Sequence, residues 1–238
     1  MTKMPNYQQM ARQSANRKTN SMKNEIKYIA ESLINRDLIT EDGMSISEIE
    51  NVEKKLGCEI PTILKEFYNL VGNLDMFMSA FQDFPEPYLL GEKIVFLEEN
   101  QGVCYWGINK DNVSELPTVY VCTDIETENL EWNSEDVNLK EFLNIIMYLQ
   151  CAEGGYEYGS AIYESDFENR ETYEKFLSDK TVGWEKVVDH NGFVSYQKGD
   201  KLIWYFSNSE GKMEDILYAA ARTKNGMNEL VSYGFKEL

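Results

Sequence analysis

Between Ser21 and Leu38 the apolar residues Ile26, Ile29, Leu33 and Ile34 return every three or four positions, the period of a helix that buries one face. A second such pattern, Ile46, Ile49, Val52 and Leu56, is framed by Ser45 and Glu48 at capping-box spacing and by Gly57, which tolerates the left-handed conformation of a helix end. A third follows at once. Pro61 suits a first helical turn, where its missing N–H costs nothing, and Leu64, Phe67, Tyr68 and Val71 form an apolar face before Gly72. Together these two segments predict a helix hairpin with a tight joint.

After Asn73 the period is lost. The stretch MFMSAFQDFPEPYLLGE predicts a long loop with short turns, its Phe77, Phe81 and Phe84 pinned on the core. Short strands are predicted at Ile94–Glu98, Val103–Ile108, Thr118–Thr123 and Asn129–Trp132, and Leu139, Phe142, Leu143, Ile146 and Leu149 mark a closing helix. Further on, the pattern predicts a helix over Glu168–Leu177 and a hairpin over Gly192–Ser207 with Lys198-Gly199-Asp200 at its tip. A strand over Ile216–Arg222 and a last helix opening at Asn225-Gly226 complete the chain. The tail is small enough that it is expected to extend the same sheet. Leu56, Ile60, Leu64, Phe67, Phe96, Val121 and Phe142 are expected in one core. Periodicity by itself supports a mixed α/β domain.

Charge changes the picture more than composition does. The net charge is −18 over 238 residues, but residues 41–179 carry thirty acids and eight bases, residues 180–238 balance at eight each, and residues 1–40 carry seven bases and three acids. Residues 1–20 are polar and basic and read as a mobile arm. The acidic field disfavours nucleic acid and anionic membrane as partners and favours a basic protein. The longest apolar run, Ile216–Ala221, is far short of the ~20 residues a bilayer span needs, and no secretory h-region is seen, so the chain is expected in the cytoplasm.

Chemistry is sparse. Cys58, Cys104, Cys122 and Cys151 form no C-x-x-C pair and the chain has a single histidine, so no metal is expected and the thiols read as buried and free. His190, in VVDHNGF, reads as a surface turn. Neither G-x-S-x-G nor a Walker loop occurs, and no cofactor is expected. Forty-one acids give carboxylate spacing no power to mark a hydrolase or a calcium site. Two acidic clusters remain as candidates for a binding patch: Glu98 and Glu99 at a strand end, and Asp124, Glu126, Glu128 and Glu131 in a run continued by Glu135 and Asp136. Tyr105, Trp106 and Trp132 are the candidate aromatic anchors.

The run E-x-x-L-G-x-x-I-P-x-x-x-K-x-F-Y, at Glu53, Leu56, Gly57, Ile60, Pro61, Lys65, Phe67 and Tyr68, resembles the N-terminal signature of the SUKH superfamily. That group contains the yeast cell-wall-assembly regulator and many bacterial immunity proteins. Ile94–Asn109, IVFLEENQGVCYWGIN, is similar to its central strand pair, and Pro117–Thr123, Trp132 and Leu139–Tyr148 follow in the family's order, covering about residues 45–150. The resemblance implies an α+β fold: a twisted, mainly antiparallel sheet of about six strands flanked by helices. Residues 21–180 then form the SUKH-like domain and 181–238 a hairpin-helix extension packed on it. The implied function is that of a non-enzymatic immunity protein that binds and neutralises a basic, nuclease-like toxin. A regulatory scaffold for several proteins, or an enzyme with a pocket of convergent polar groups, are the alternatives.

Overall fold

The computed structural model describes residues 23–111, 114–123 and 130–238. The basic arm, residues 1–20, lies outside these, as do Asp124, Glu126 and Glu128 of the acidic run. The fold is α+β, with two antiparallel sheets of six strands each among the described residues. Two compact units are formed: one holds the described residues up to Glu31 together with Asp37–Asn144, the other Ser32–Arg36 with Ile145–Leu238.

Helix α1 spans residues 23–34, with Ile26, Ala30 and Leu33 fully buried. In the first unit, α2 (Ile46–Leu56) starts where the sequence says it should. Ser45 Oγ accepts from the Glu48 amide at 3.3 Å and Glu48 Oε2 accepts from the Ser45 amide at 2.7 Å. Gly57 ends the helix at φ 70°. Pro61 leads into α3 (Thr62–Val71), on which Ile63, Leu64, Phe67, Tyr68 and Val71 are buried. The segment expected to be a loop instead forms a short helix, α4 (Asp75–Met78), and two short strands, β1 (Gln82–Asp83) and β2 (Tyr88–Leu90). Both strands pair with β3 (Lys93–Glu99). Phe77 there is fully buried, but Phe81 and Phe84 are only half-buried.

The first sheet continues through β4 (Tyr105–Asn109), β5 (Thr118–Cys122) and β6 (Asn133–Asn138), in the order β1-β3-β4-β5-β6. β6 starts after Trp132 rather than ending at it, and leads directly into α5 (Leu139–Gln150). Rings link the elements in series. Phe67 lies 5.2 Å from Phe84, Phe84 6.4 Å from Phe96, and Phe96 meets Phe142 edge-on at 5.9 Å. Full burial stabilises by about 1.5–3 kcal/mol for each of Phe67, Phe96 and Phe142, with half-buried Phe84 between them, so this series holds the hairpin and α5 to the sheet. Val121 departs from the expected core. It is half-buried, because its outer neighbour β6 is polar, with three of its six residues exposed, and offers little apolar cover.

The second unit has its own sheet, ordered β12-β7-β11-β10-β9-β8. The strands are β7 (Tyr158–Tyr163), β8 (Glu185–His190), β9 (Phe193–Lys198), β10 (Lys201–Phe206), β11 (Ile216–Ala221) and β12 (Lys236–Glu237). The C-terminal segment therefore does not extend the first sheet. β7, whose sequence did not read as a strand, pairs with β11 over six residues and gives the tail enough partners for a separate sheet. Helices α6 (Arg170–Lys180) and α7 (Lys224–Tyr233) are capped by Asn169 and Thr223, and Tyr173, Met227 and Leu230 join Ile203, Leu217 and Phe235 in one core. α5 runs on into a π-helical turn, Cys151–Gly155.

Two readings of single residues change. His190 is not in the turn: Asn191 and Gly192, at φ 45° and 83°, suffice for a two-residue hairpin connection, which leaves His190 half-buried in the ladder opposite Phe193. All four thiols are free, but only Cys122 and Cys151 are buried. Cys58 and Cys104 are half-buried, Cys104 in the connection just before β4.

Candidate functional site

Residues paired directly across an antiparallel ladder project to the same face, and residues two apart on a strand share it. In the first sheet Glu98 is paired with Tyr105, Gly107 with Tyr120, and Lys93 with Asn109. Glu98, Tyr105, Tyr120 and Lys93 therefore stand on one face. Tyr88 joins them, its hydroxyl donating to Glu98 Oε1 at 2.6 Å. Trp132 joins them too: a Cβ built on Gly107 would come within 3.3 Å of its ring, and the Lys93 ammonium lies 5.9 Å from that ring's centroid. Glycine at position 107 is what lets the indole lie over the strand. All six of these side chains are half-buried, leaving part of each ring accessible.

The opposite face is the packed one. Leu97, Trp106 and Val121 are paired across it, and the Trp106 ring lies 6.2 Å from Phe142 of α5. Trp106 Nε1 donates to Glu135 Oε1 at 2.6 Å, so both the ring and its polar edge are engaged within the fold. Glu99 is half-buried and accepts from the Gln101 amide at 2.8 Å, closing the turn after β3. Burial, with Glu135, Cys122 and Glu99 nearby, pushes the Cys104 thiol up to about 12, so it is no thiolate nucleophile at neutral pH.

Of the residues singled out from sequence, the structure thus brings together Glu98, Tyr105 and Trp132, with exposed Glu131 next in chain to Trp132. It places Trp106 and Glu99 on the other side of the sheet. Asp124, Glu126 and Glu128 lie outside the described residues. Sequence reasoning missed Tyr88, Lys93 and Tyr120. Tyr120 was legible in the alternation of Thr118–Cys122, which puts it on the face opposite Val119 and Val121. Tyr88 was hidden in a segment without period, and Lys93 is a charge at a strand start that gives no hint of its ring partners.

The electrostatics of this face are mixed. The Lys93 ammonium sits 3.4 Å from the centre of the Tyr120 ring and also donates to Asn109 Oδ1. Desolvation lowers its pKa from the usual lysine value. Burial first, and then the bond to Glu98, raise the Tyr88 phenol, so it remains a donor and Glu98 its acceptor at neutral pH. Aromatic bodies with polar tips, one fixed carboxylate and one desolvated ammonium suit recognition by contact.

The second unit has two polar clusters of a different kind. Glu153, in the π-helical turn, accepts from Trp204 Nε1 at 2.8 Å, and Trp204 stacks on Tyr218 at 5.5 Å. Arg170 ties Glu164 and Glu174 to the Met213 carbonyl, which uses its donors within the fold. Among the described residues no three His, Cys, Asp or Glu side chains come together as a metal site needs, and no helix is long and apolar enough to cross a membrane. No family model matches the chain, and comparison with curated proteins and with solved structures finds no match either.

Proposed function

We propose that the chain is a non-enzymatic protein-binding module, an immunity protein of the SUKH kind that binds and neutralises a basic toxin domain in the cytoplasm. The reading is carried by one observation: the half-exposed face of Tyr88, Glu98, Tyr105, Tyr120 and Trp132 on an otherwise packed sheet. Tyrosine and tryptophan dominate binding hot spots because they bring large area at little rotamer cost. A standard interface covers ~800 Å² per partner, enough to take in this face. The thirty acids among residues 41–179 supply the long-range part. They steer a basic partner and raise its encounter rate about 10- to 1000-fold at low ionic strength, an effect that fades as the Debye length shrinks to ~8 Å.

The test is protection. The toxin domain encoded beside this chain's gene is expressed with and without the chain, and growth is followed. The parent chain relieves growth arrest, and Tyr105→Ala with Trp132→Ala weakens the purified complex by at least tenfold while leaving the melting temperature within a few degrees. A parent chain that gives no relief and forms no complex with that domain overturns the reading.

A further inference from the structure

Glu98 is paired on both sides: with Tyr105 of β4 and with Asp83 of β1. The row Asp83, Glu98, Tyr105 therefore crosses three strands on the aromatic face of the first sheet. Directly paired residues hold their Cβ atoms about 4.5–5.5 Å apart, and like charges so placed repel. Asp83 is exposed and Glu98 half-buried, and neither forms an ion pair among the described residues. The Tyr88 hydroxyl that donates to Glu98 Oε1 is neutral and leaves the charge in place. Lys93 does not supply the missing cation. It is paired with Asn109, four residues along β4 from Tyr105, which is about 13 Å of strand and beyond the ~8 Å Debye length. Its ammonium is engaged by the Tyr120 ring and Asn109 Oδ1.

We propose that Asp83 and Glu98 receive an arginine of the protein partner, its guanidinium held by both carboxylates and laid against the Tyr105 ring. The proposal rests on this face being the partner site, and charge complementarity carries it. Two carboxylates fixed side by side on neighbouring strands, with no cation of their own among the described residues, are relieved by a cation from outside. The neighbouring ring selects which cation. A guanidinium is planar and weakly hydrated, presents several N–H donors in one plane and stacks on aromatic faces. An ammonium is a compact, strongly hydrated point charge that gains less from the ring. Glu98 then sets the position of the arginine, because the Tyr88 hydroxyl already fixes one of its oxygens.

The probes are ethylguanidinium and propylammonium, which carry the same charge. Each is titrated into the full chain at low salt and followed by the ring resonances of Tyr88 and Tyr105. Ethylguanidinium shifts both rings saturably, and propylammonium binds at least roughly threefold more weakly. Glu98→Gln, which keeps an acceptor for Tyr88, weakens ethylguanidinium at least roughly fivefold, and Asp83→Asn, which leaves that bond untouched, at least roughly threefold. Glu185→Gln removes one exposed charge from the second unit and changes the affinity less than about twofold. Three results overturn the proposal: no saturable shift of these rings by ethylguanidinium, equal affinity for the two probes, or losses in Glu98→Gln and Asp83→Asn no larger than in Glu185→Gln. The last would show that only the overall acidic field attracts the probe. The titration contains no toxin, so its failure strikes the arginine site alone, whereas ethylguanidinium bound as described by a chain that gives no protection strikes the toxin reading.

Discussion

In the second unit β10 runs through four buried residues in succession, Lys201–Trp204, so both of its faces are covered, and the β9–β10–β11–β7 ladder keeps its register throughout. The first unit's sheet is interrupted by register shifts between Val95 and Leu97 and between Thr118 and Tyr120, and it leaves a row of rings half-exposed on one face. Charge is graded the same way: residues 145–238 carry sixteen acids and ten bases, whereas residues 41–144 carry twenty-two acids and six bases. A sheet with a covered centre, less acidic and interrupted only at its β8 edge between Lys186 and Val188, devotes its apolar surface to stability. An irregular, acidic sheet with accessible rings withholds part of that surface from its own core, and bulges re-aim side chains as binding faces require.

The largest effects should come from the two cores and should be alike in size despite the difference between the sheets. Phe67→Ala is expected to cost about 3–5 kcal/mol and Ile203→Ala about 2–5 kcal/mol, through lost burial plus the cavity left behind. Denaturant unfolding measures both, and a cost under about 1 kcal/mol for either would show that its sheet is not held as described. Next is Gly57→Val. No atom lies within 4 Å of the added Cβ, so only the left-handed backbone resists it, at φ 70°. The expected cost is about 1–2 kcal/mol, and Gly159→Ala in β7, at ordinary φ with its nearest neighbour 3.8 Å away, serves as the near-neutral control.

The smallest effect is a pH dependence confined to the second unit. Burial raises the Glu153 carboxyl above its ordinary 4.5, against the Trp204 hydrogen bond that lowers it. The folded state then holds a proton that the unfolded state has already lost, so stability falls as pH rises from 4.5 through the raised value and stays lower above it. Glu153→Gln keeps an acceptor for Trp204 and removes the ionisation. Its melting temperature should match the parent's near pH 4 and exceed it slightly at pH 7. A lower value at pH 7 would mean that the charged carboxylate stabilises the turn.

The helix hairpin was legible because its signals are local: Ser45, Glu48, Gly57 and Pro61 act within a few residues of one another. The β9–β10 hairpin was legible for the same reason, its turn marked by Gly199 at φ 61°. What escaped was non-local. β7 becomes a strand by pairing with β11, more than fifty residues on, and no local pattern in Tyr158–Tyr163 announces that partner. Trp106 and Tyr105 are adjacent aromatics of equal promise in sequence, and only the register decides that one lies on the Phe142 side of the sheet and the other on the opposite face, both half-buried. Tyr88 became part of the face through a bond to Glu98, ten positions away, across a segment that read as loop.

The central claim is that the half-exposed face of the first sheet is where a partner binds. Hydroxyl-radical footprinting of the chain, free and in complex with the toxin domain from the protection assay, reads those rings directly. The account predicts that Tyr88, Tyr105, Tyr120 and Trp132 lose reactivity severalfold on binding while Tyr163 of the second unit, 41 % exposed, keeps its own. Unchanged reactivity at all four rings in a complex that still protects, with Tyr163 shielded instead, would contradict it.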